Sequence, residues 1–379
     1  LVPMALFLSA CGTTDEPQPD VPVEDTSTSG ATFLERNARL KELGELILKS
    51  EEQLQNAKAE LDEIAQEERD QKAVLEKEKA RRAALLSSLS QRLVAQRSAG
   101  RIRVEVYPDS QLYGDEDELE ALKLGAVELL APSLSKFGQA GLPEFEVFDL
   151  PFLFDDLAQV RRVTQGPVGR RLLERLAHQQ MVGLGFMDGS FKQMSANRPL
   201  RAPADFKGLR LRVQASRVLV AQMRALGAEP VVLPFGETRR ALARRVVDGA
   251  ENPLSNFLTQ GLQAVQTDLT LTRHGYLGYA VVSHPRFWDS LSAPNRELLR
   301  QALAESLEFG NRLSAELDRQ ALERVLQLPR LRVHTLSVPE RAELQRTAQA
   351  VQLGFERRVG AGLLAEVRGA IAPTTAVGD

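Results

Sequence analysis

The chain has 379 residues, of which 43% are hydrophobic and 26% are charged, and its formal net charge is −3. A chain of this size and composition can build one large α/β body or two lobes. The near-neutral charge favours neither nucleic acid nor an anionic membrane surface as a partner, so we predict no nucleic-acid binding.

The N-terminus carries a short apolar run that ends at the one cysteine of the sequence. Residues 8–12, LSACG, resemble the lipobox at which bacterial signal peptides are cut and the cysteine is lipidated. The apolar run is too short to span a bilayer, which fits the core of a signal peptide. We predict a lipoprotein signal segment over residues 1–11, lipid on Cys11, and a periplasmic, membrane-anchored lipoprotein, at the outer membrane if there is one. The alternative is an apolar N-terminus that holds a cysteine by chance.

A tract rich in Thr, Asp, Pro and Ser follows over residues 12–31 and predicts a flexible tether. Residues 32–79 then predict a helical, coiled-coil-like extension, because apolar residues recur there at alternating spacings of three and four. The recurring residues are Leu40, Leu43, Ile47, Leu54, Ala57, Leu61 and Ile64. We predict an interface over residues 40–64, for self-association or for a partner. One long helix and an antiparallel hairpin bending near residues 67–71 both stay open.

Residues 206–256 predict the order strand, helix, strand, helix, strand. In the first strand, Leu209, Leu211 and Val213 alternate with Arg210 and Arg212, the period-two pattern of a strand with one face in a core. The following elements are a helix from Gln214 that ends at Gly227, a strand over Pro230–Pro234, a helix over Thr238–Arg245, and the segment Val246–Gly249 that leads to Glu251-Asn252-Pro253.

Arg212 is the candidate ligand-binding residue of this region. A buried arginine is costly unless a carboxylate or phosphate meets its planar fork of donors. The alternative is that Arg212 pairs with a structural acid such as Asp248.

Four ordered blocks of this region resemble the extracytoplasmic solute-binding proteins of tripartite ATP-independent periplasmic (TRAP) transporters, the dicarboxylate-binding DctP type. The blocks are Lys207–Val213, Leu226–Pro230, Pro234–Glu237 and Val246–Asn252. Further similar segments, in the same order as in the family, are Val104–Pro108, Gln111–Leu112, Leu150–Phe154 and Thr272–Tyr276. The resemblance covers roughly residues 80–365.

The resemblance implies an α/β, bilobal periplasmic-binding-protein-like fold with a ligand cleft between the lobes, here preceded by the long helical segment. The expected limits are residues 80–189 and 278–311 for the first lobe, 190–277 for the second, and 312–370 for C-terminal helices that brace both. The chain departs from the family at one point. Family members open with a short strand that helps to line the cleft, whereas here the helix Ala80–Gln96 continues directly from the helical extension.

The resemblance also implies the ligand-binding residues. Arg212 matches the family arginine that forms a salt bridge with the ligand carboxylate, and Asn252 matches an asparagine whose amide can donate to it. Lys192 stands where some members carry a second arginine, Phe235 matches an aromatic that packs on the ligand or plugs the core, and Ser133 follows a predicted strand over Val127–Ala131.

The function implied is a lipid-anchored receptor that closes around an organic acid and delivers it to the membrane permease subunits of a TRAP transporter. We predict no enzyme activity, metal or cofactor, because the four histidines lack metal-ligand spacing and the sequence has no Gly-rich phosphate loop. The alternative is a diverged solute-binding protein that acts as a cell-envelope scaffold through its coiled coil, without ligand transport.

Overall fold

The structure is a computed structural model that describes residues 29–108 and 110–372. Its contacts group into two compact units, residues 1–67 and residues 68–379. The predicted signal segment, Cys11 and the tether as far as residue 28 lie outside the described residues.

Helix α1 spans Ser29–Arg97, 69 residues without a break. The hairpin alternative is therefore wrong, because the helix continues through residues 67–71; no proline or glycine occurs between Gly44 and Gly100 to interrupt it. Within the first unit, apolar side chains of the predicted seam are exposed, from 49% for Leu43 to 65% for Leu40. Among the described residues, no helix combines the length and the apolar character needed to cross a membrane.

The second unit holds the remaining elements. Its helices are α2 Glu118–Leu124, α3 Leu134–Gln139, α4 Leu157–Thr164, α5 Pro167–Arg175, α6 Pro203–Phe206, α7 Arg217–Ala225, α8 Thr238–Ala243, α9 Leu254–Thr259, α10 Pro285–Ser290, α11 Ala293–Leu326, α12 Val338–Val359 and α13 Ala361–Ile371. Short 3₁₀ helices span Pro143–Asp149, Leu176–Gln179, Phe235–Glu237 and Leu262–Ala264.

One mixed sheet runs through the second unit. Its strands are β1 Leu129–Leu130, β2 Val182–Ala196, β3 Arg210–Val213, β4 Glu229–Val232, β5 Gly249–Asn252, β6 Asp268–Ser283 and β7 Arg332–Thr335. Their order in the sheet is β1-β6-β2-β5-β3-β4, with β7 beside β6. Strand β3 lies parallel to both β4 and β5, whereas the long strands β2 and β6 are antiparallel.

The two long strands connect separate hydrophobic cores. At one end of the pair, Phe186 of β2 lies opposite Ala280 of β6, and both belong to a core rich in aromatic side chains. Toward the other end, Met194 and Leu269 belong to two further clusters, which pack around β3, β5 and their helices. The register shifts between Asp188 and Met194, so the regular pairing is interrupted between the two ends.

The predicted elements of residues 206–256 are present, and local signals explain their limits. The side chain of Ser216 accepts a hydrogen bond from Leu219 N–H and caps α7, and Gly227 follows the helix with a φ of +85°. Helix α8 ends two residues before the predicted Arg245, which itself has a left-handed φ of +55°.

One predicted strand was too long. The predicted strand Val127–Ala131 shrinks to Leu129–Leu130, because it pairs with β6 over these two residues alone. Helix α11 begins at a Ser292 cap. The helix Ala80–Gln96 is the last part of α1 and continues directly from the helical extension, as predicted. The described residues 29–108 contain no strand, so the opening strand of the family is absent from this part of the chain.

Candidate functional site

A cavity of about 110 Å³ lies between the ends of β3 and β5 on one side and the segment that leads into α2 and α3 on the other. All the predicted ligand-binding side chains line it: Arg212, Asn252, Lys192, Phe235 and Ser133. The structure therefore brings together residues that are up to 119 positions apart in the sequence. Their roles in ligand binding stay predictions.

Arg212 is the largest fully buried side chain of the cavity wall, with 1% of its surface exposed. Its Nε donates to the carbonyl of Leu233 at 3.0 Å, and its guanidinium carbon lies 5.9 Å from the centroid of the Phe235 ring. Burial lowers the pKa of Arg212, and the charges of Glu251 and Asp115 offset part of that effect. An arginine stays charged under these conditions, so the wall of the cavity carries a buried positive charge.

Asp248, the structural acid that could have neutralised Arg212, is bound elsewhere. Its Oδ1 accepts from Arg210 Nη2 at 2.8 Å, and its Oδ2 accepts from the backbone N–H of Arg210 at 2.9 Å. Among residues 29–108 and 110–372, no carboxylate lies within 4 Å of the Arg212 nitrogens. The Nη atoms of Arg212 therefore remain available to an anion in the cavity.

Asn252 ends β5 with 6% of its surface exposed. Its Nδ2 is buried and has no hydrogen-bond partner among the described residues. Leaving a buried donor unsatisfied costs about 1–3 kcal/mol. An acceptor atom of a bound ligand would satisfy it, and Asn252 and Arg212 line the same cavity.

Lys192 lines the cavity but is bound to an acid behind it. Its Nζ lies 2.8 Å from Glu251 Oε1, and each side chain is 1% exposed. Glu251 Oε2 lies 2.9 Å from Nε2 of His274, whose Nδ1 lies 2.7 Å from the Thr272 hydroxyl. Burial acts to raise the pKa of Glu251, but Lys192 and His274 outweigh it and lower that pKa to about 2. The charge of Lys192 is thus neutralised within the protein.

Ser133 and Phe235 stand on opposite sides of the cavity. Ser133 precedes α3, and its hydroxyl accepts a hydrogen bond of 3.4 Å from Nε2 of Gln214, a residue just after β3. Phe235 begins the 3₁₀ turn before α8 and is half-buried, with its ring near Arg212. The ring faces the cavity and is not a core plug.

Sequence reasoning missed a second charged group in the cavity wall, Asp115, Glu118 and Lys136, here called the Lys136 cluster. Lys136 Nζ donates to Asp115 Oδ1 at 2.6 Å and also to Glu118 Oε1. The other Asp115 oxygen accepts from the backbone N–H of Phe235 at 2.7 Å, which joins the two sides of the cavity. The acids belong to the run DEDE over residues 115–118, which reads as a solvated surface, so the sequence offers little signal for them.

The two acids of the Lys136 cluster differ electrostatically. Burial acts to raise the pKa of Asp115, but hydrogen bonds from Lys136 and from Phe235 N–H and the charge of Arg212 bring it below its ordinary value. Burial raises the pKa of Glu118, and the nearby Lys136 offsets this only in part. Glu118 is therefore the more easily protonated acid of the two.

Comparison with known sequences matches residues 77–357 to the family model of bacterial extracellular solute-binding protein, family 7. A C4-dicarboxylate-binding periplasmic protein, DctP, of Rhodobacter capsulatus is 48% identical over 273 residues, which cover 72% of this chain and 82% of that protein. The C4-dicarboxylate-binding protein DctB of Bacillus subtilis is 36% identical and covers 73% and 79% of the two chains.

Solved structures of solute-binding proteins are also similar to this chain. A TRAP periplasmic solute-binding protein from Shewanella oneidensis with bound succinate has a TM-score of 0.73 and 41% identity, over 76% of this chain and 93% of that one. One from Pseudomonas aeruginosa with bound L-malate has a TM-score of 0.70 and 36% identity, over 72% and 95%. The predicted bilobal α/β fold is confirmed by these neighbours, whereas a coiled coil of α1 stays a prediction.

The family consists of solute-binding receptors that act outside the cytoplasm and are not enzymes. The match extends over most of the second unit, including every residue of the cavity wall. The chain belongs to bacterial extracellular solute-binding protein family 7, as a DctP-type solute-binding protein of the TRAP transporters.

Proposed function

We propose that the protein captures a small dicarboxylate, of the C4 class, and delivers it to the permease subunits of a TRAP transporter. The observation that carries this proposal is the buried guanidinium of Arg212, which lines the cavity without a carboxylate partner among the described residues. The unpaired Nδ2 of Asn252 in the same wall adds a second donor for an acid.

The ligand class is supported by the relatives and by the size of the cavity. Similar proteins are described as C4-dicarboxylate-binding, and two similar structures contain succinate and L-malate. Drug-sized ligands occupy pockets of about 300–1,000 Å³. The volume of about 110 Å³ suits a much smaller molecule.

Binding requires no covalent step. The planar fork of Arg212 would receive one carboxylate through parallel hydrogen bonds, and Asn252 would donate to the same end of the ligand. Contacts between the two sides of the cavity, from Asp115 to Phe235 N–H and from Gln214 to Ser133, would form as the lobes close. The proposed lobes are residues 80–189 with 278–311, and residues 190–277.

The protein is further proposed to be anchored to a membrane by lipid and to associate through α1. Lipid on Cys11 would attach the protein to a membrane outside the cytoplasm, and the LSACG sequence supports this. The exposed apolar stripe of α1 supports self-association or a partner over residues 40–64.

A scaffold without ligand binding is the less favoured function. It rested on the missing opening strand, yet Arg212 and Asn252 line the cavity without that strand. The exposed stripe of α1 suits a scaffold and a receptor equally.

Thermal unfolding of the second unit with α1 attached tests the proposal. Succinate or L-malate at a hundred times its dissociation constant should add about 2.7 kcal/mol to the free energy of unfolding. Succinamide, which has the same shape but no charge, serves as the control and should add nothing. If neither acid stabilises the protein at millimolar concentration, the proposed function is wrong.

A further inference from the structure

The cavity wall carries three cations, and their partners differ. Lys192 is bound to Glu251, and Lys136 is bound to Asp115 and Glu118, whereas Arg212 has no carboxylate within 4 Å among the described residues. As it stands, the wall can therefore neutralise one carboxylate of a ligand. A dicarboxylate needs a second cation, because burying an unpaired carboxylate is strongly unfavourable.

Lys192 is poorly suited to receive the second carboxylate. Its partner Glu251 is 2% exposed and holds its negative charge, with a pKa lowered to about 2 by Lys192 and His274 against the effect of burial. Drawing the ammonium toward a ligand would leave the carboxylate of Glu251 with a weaker partner in the interior. Breaking one side of a buried pair costs about 3–5 kcal/mol.

Lys136 is better suited, because it has two carboxylate partners and can exchange one of them. Asp115 is held by the backbone N–H of Phe235 as well, at 2.7 Å, and Arg212 adds a favourable charge. The charged groups that face Glu118 are Lys136 on α3 and Asp115 before α2. Among the described residues, the carboxylate of Glu118 accepts a hydrogen bond from Lys136 and from no backbone N–H, so it is held by one partner where Asp115 is held by two.

We infer that the Lys136 cluster is a second anion subsite, at which the distal carboxylate of a dicarboxylate replaces Glu118 on the Lys136 ammonium. The inference rests on the proposed function, since the first carboxylate is placed at Arg212. The same cavity is also lined by Arg212 and by Asn252, whose buried Nδ2 has no hydrogen-bond partner among the described residues. Glu118 then sets the preference between acids with one and with two carboxylates.

Calorimetric titration with succinate and with butyrate, which lacks the second carboxylate, tests this role. Lys136→Gln should weaken succinate binding about 10- to 100-fold, the equivalent of losing a hydrogen-bonded charge, and change butyrate binding far less. Glu118→Gln should act in the opposite direction and strengthen succinate binding several-fold, because the neutral amide competes less for Lys136. Glu116 is an exposed acid close to Glu118 in the sequence, so Glu116→Gln is the control and should leave both affinities unchanged.

The ratio of the two affinities separates the outcomes. Opposite shifts of the succinate-to-butyrate ratio in Lys136→Gln and Glu118→Gln support the subsite. Equal effects on both acids would show that the cluster acts on lobe closure alone and would overturn the inference while leaving the proposed function intact. If wild-type protein bound neither acid, both proposals would fail. Glu118→Gln replaces one carboxylate oxygen with an amide nitrogen and keeps the size of the side chain. It therefore tests the subsite even if Lys136→Gln folds poorly.

Discussion

The carboxylate of Asp115 accepts a hydrogen bond of 2.7 Å from the backbone N–H of Phe235, 120 positions further along the chain. The contact joins the segment before α2 to the turn before α8, on opposite sides of the cavity. A hydrogen bond to a charged group contributes about 1.5–3 kcal/mol. If the lobes open and close as proposed, opening must break this bond, so the bond should favour the closed form.

Asp115→Ala should weaken succinate binding by about 1–3 kcal/mol, because the closed complex loses this bond. The loss should appear in the dissociation rate, since the association step precedes closure. Stopped-flow measurements give both rates. Glu116→Ala, one residue further on and exposed, is the matched control. A slower association rate with unchanged dissociation would contradict a role in closure.

Lys192→Met should destabilise the fold by about 3–5 kcal/mol near neutral pH, because it leaves the buried carboxylate of Glu251 without its ammonium partner. The double variant Lys192→Met, Glu251→Gln removes both charges and should be more stable than the single variant. Chemical denaturation measures both. A single variant as stable as the wild type would show that the pair is unimportant.

The same pair predicts a dependence on pH. The folded-state pKa of Glu251 is about 2, against an ordinary value of 4.5, so its ionisation stabilises the fold fully above pH 4.5. This contribution is lost as the pH falls from about 4.5 toward 2. In Lys192→Met the folded-state pKa rises, so the stabilities of variant and wild type should converge over this range. Unfolding curves that stay parallel down to acid pH would argue against it.

The exposed stripe of α1 predicts association. Ile47→Lys with Leu54→Lys places charges on the seam and should dissociate an assembly formed through α1, while succinate binding stays unchanged. Leu46→Lys with Leu48→Lys, exposed on the same helix but off the seam, is the matched control. Sedimentation velocity compares them. A monomer for all three proteins, with no partner recovered from envelope extracts, would refute the interface.

Cys11 should carry lipid in its native envelope, because the LSACG sequence matches the site of that modification. Two or three acyl chains would hold the protein at the membrane, where a single chain binds reversibly. Intact-mass measurement of protein from its own envelope reads the modification directly. Cys11→Ser is the control and should release the protein. An unmodified Cys11 in the mature protein would contradict the anchor.

Much of residues 206–256 could be predicted from sequence because its signals are local. The alternation around Arg212, the cap at Ser216 and the left-handed Gly227 each act within one turn or one strand. The limits of β1 could not be predicted in the same way. Strand β1 extends only as far as β6 pairs with it, and that pairing joins residues 152 and 154 positions apart.

The residues of the candidate site also fall into those that could be predicted from the sequence and those that depend on distant contacts. Arg212 was identifiable because a charge inside an apolar strand is unusual, and Asn252 because it matches an asparagine of the family that the sequence resembles. The Lys136 cluster was missed because its acids lie in a charged run and become part of the cavity wall only through contacts with Lys136 and Phe235. The partner of Asp248 was also undecidable from sequence, because Arg210 and Arg212 project from the same face of the strand.

Calorimetry of succinate binding to Arg212→Ala, beside Arg210→Ala, tests the central role of Arg212. Arg210 lies on the same strand, but its side chain is 40% exposed and pairs with Asp248. We expect Arg210→Ala to bind as the wild type does and Arg212→Ala to bind about 2–5 kcal/mol more weakly, because the ligand carboxylate loses its buried partner. Equal succinate affinity in the folded Arg212→Ala variant and the wild type would contradict the proposed site.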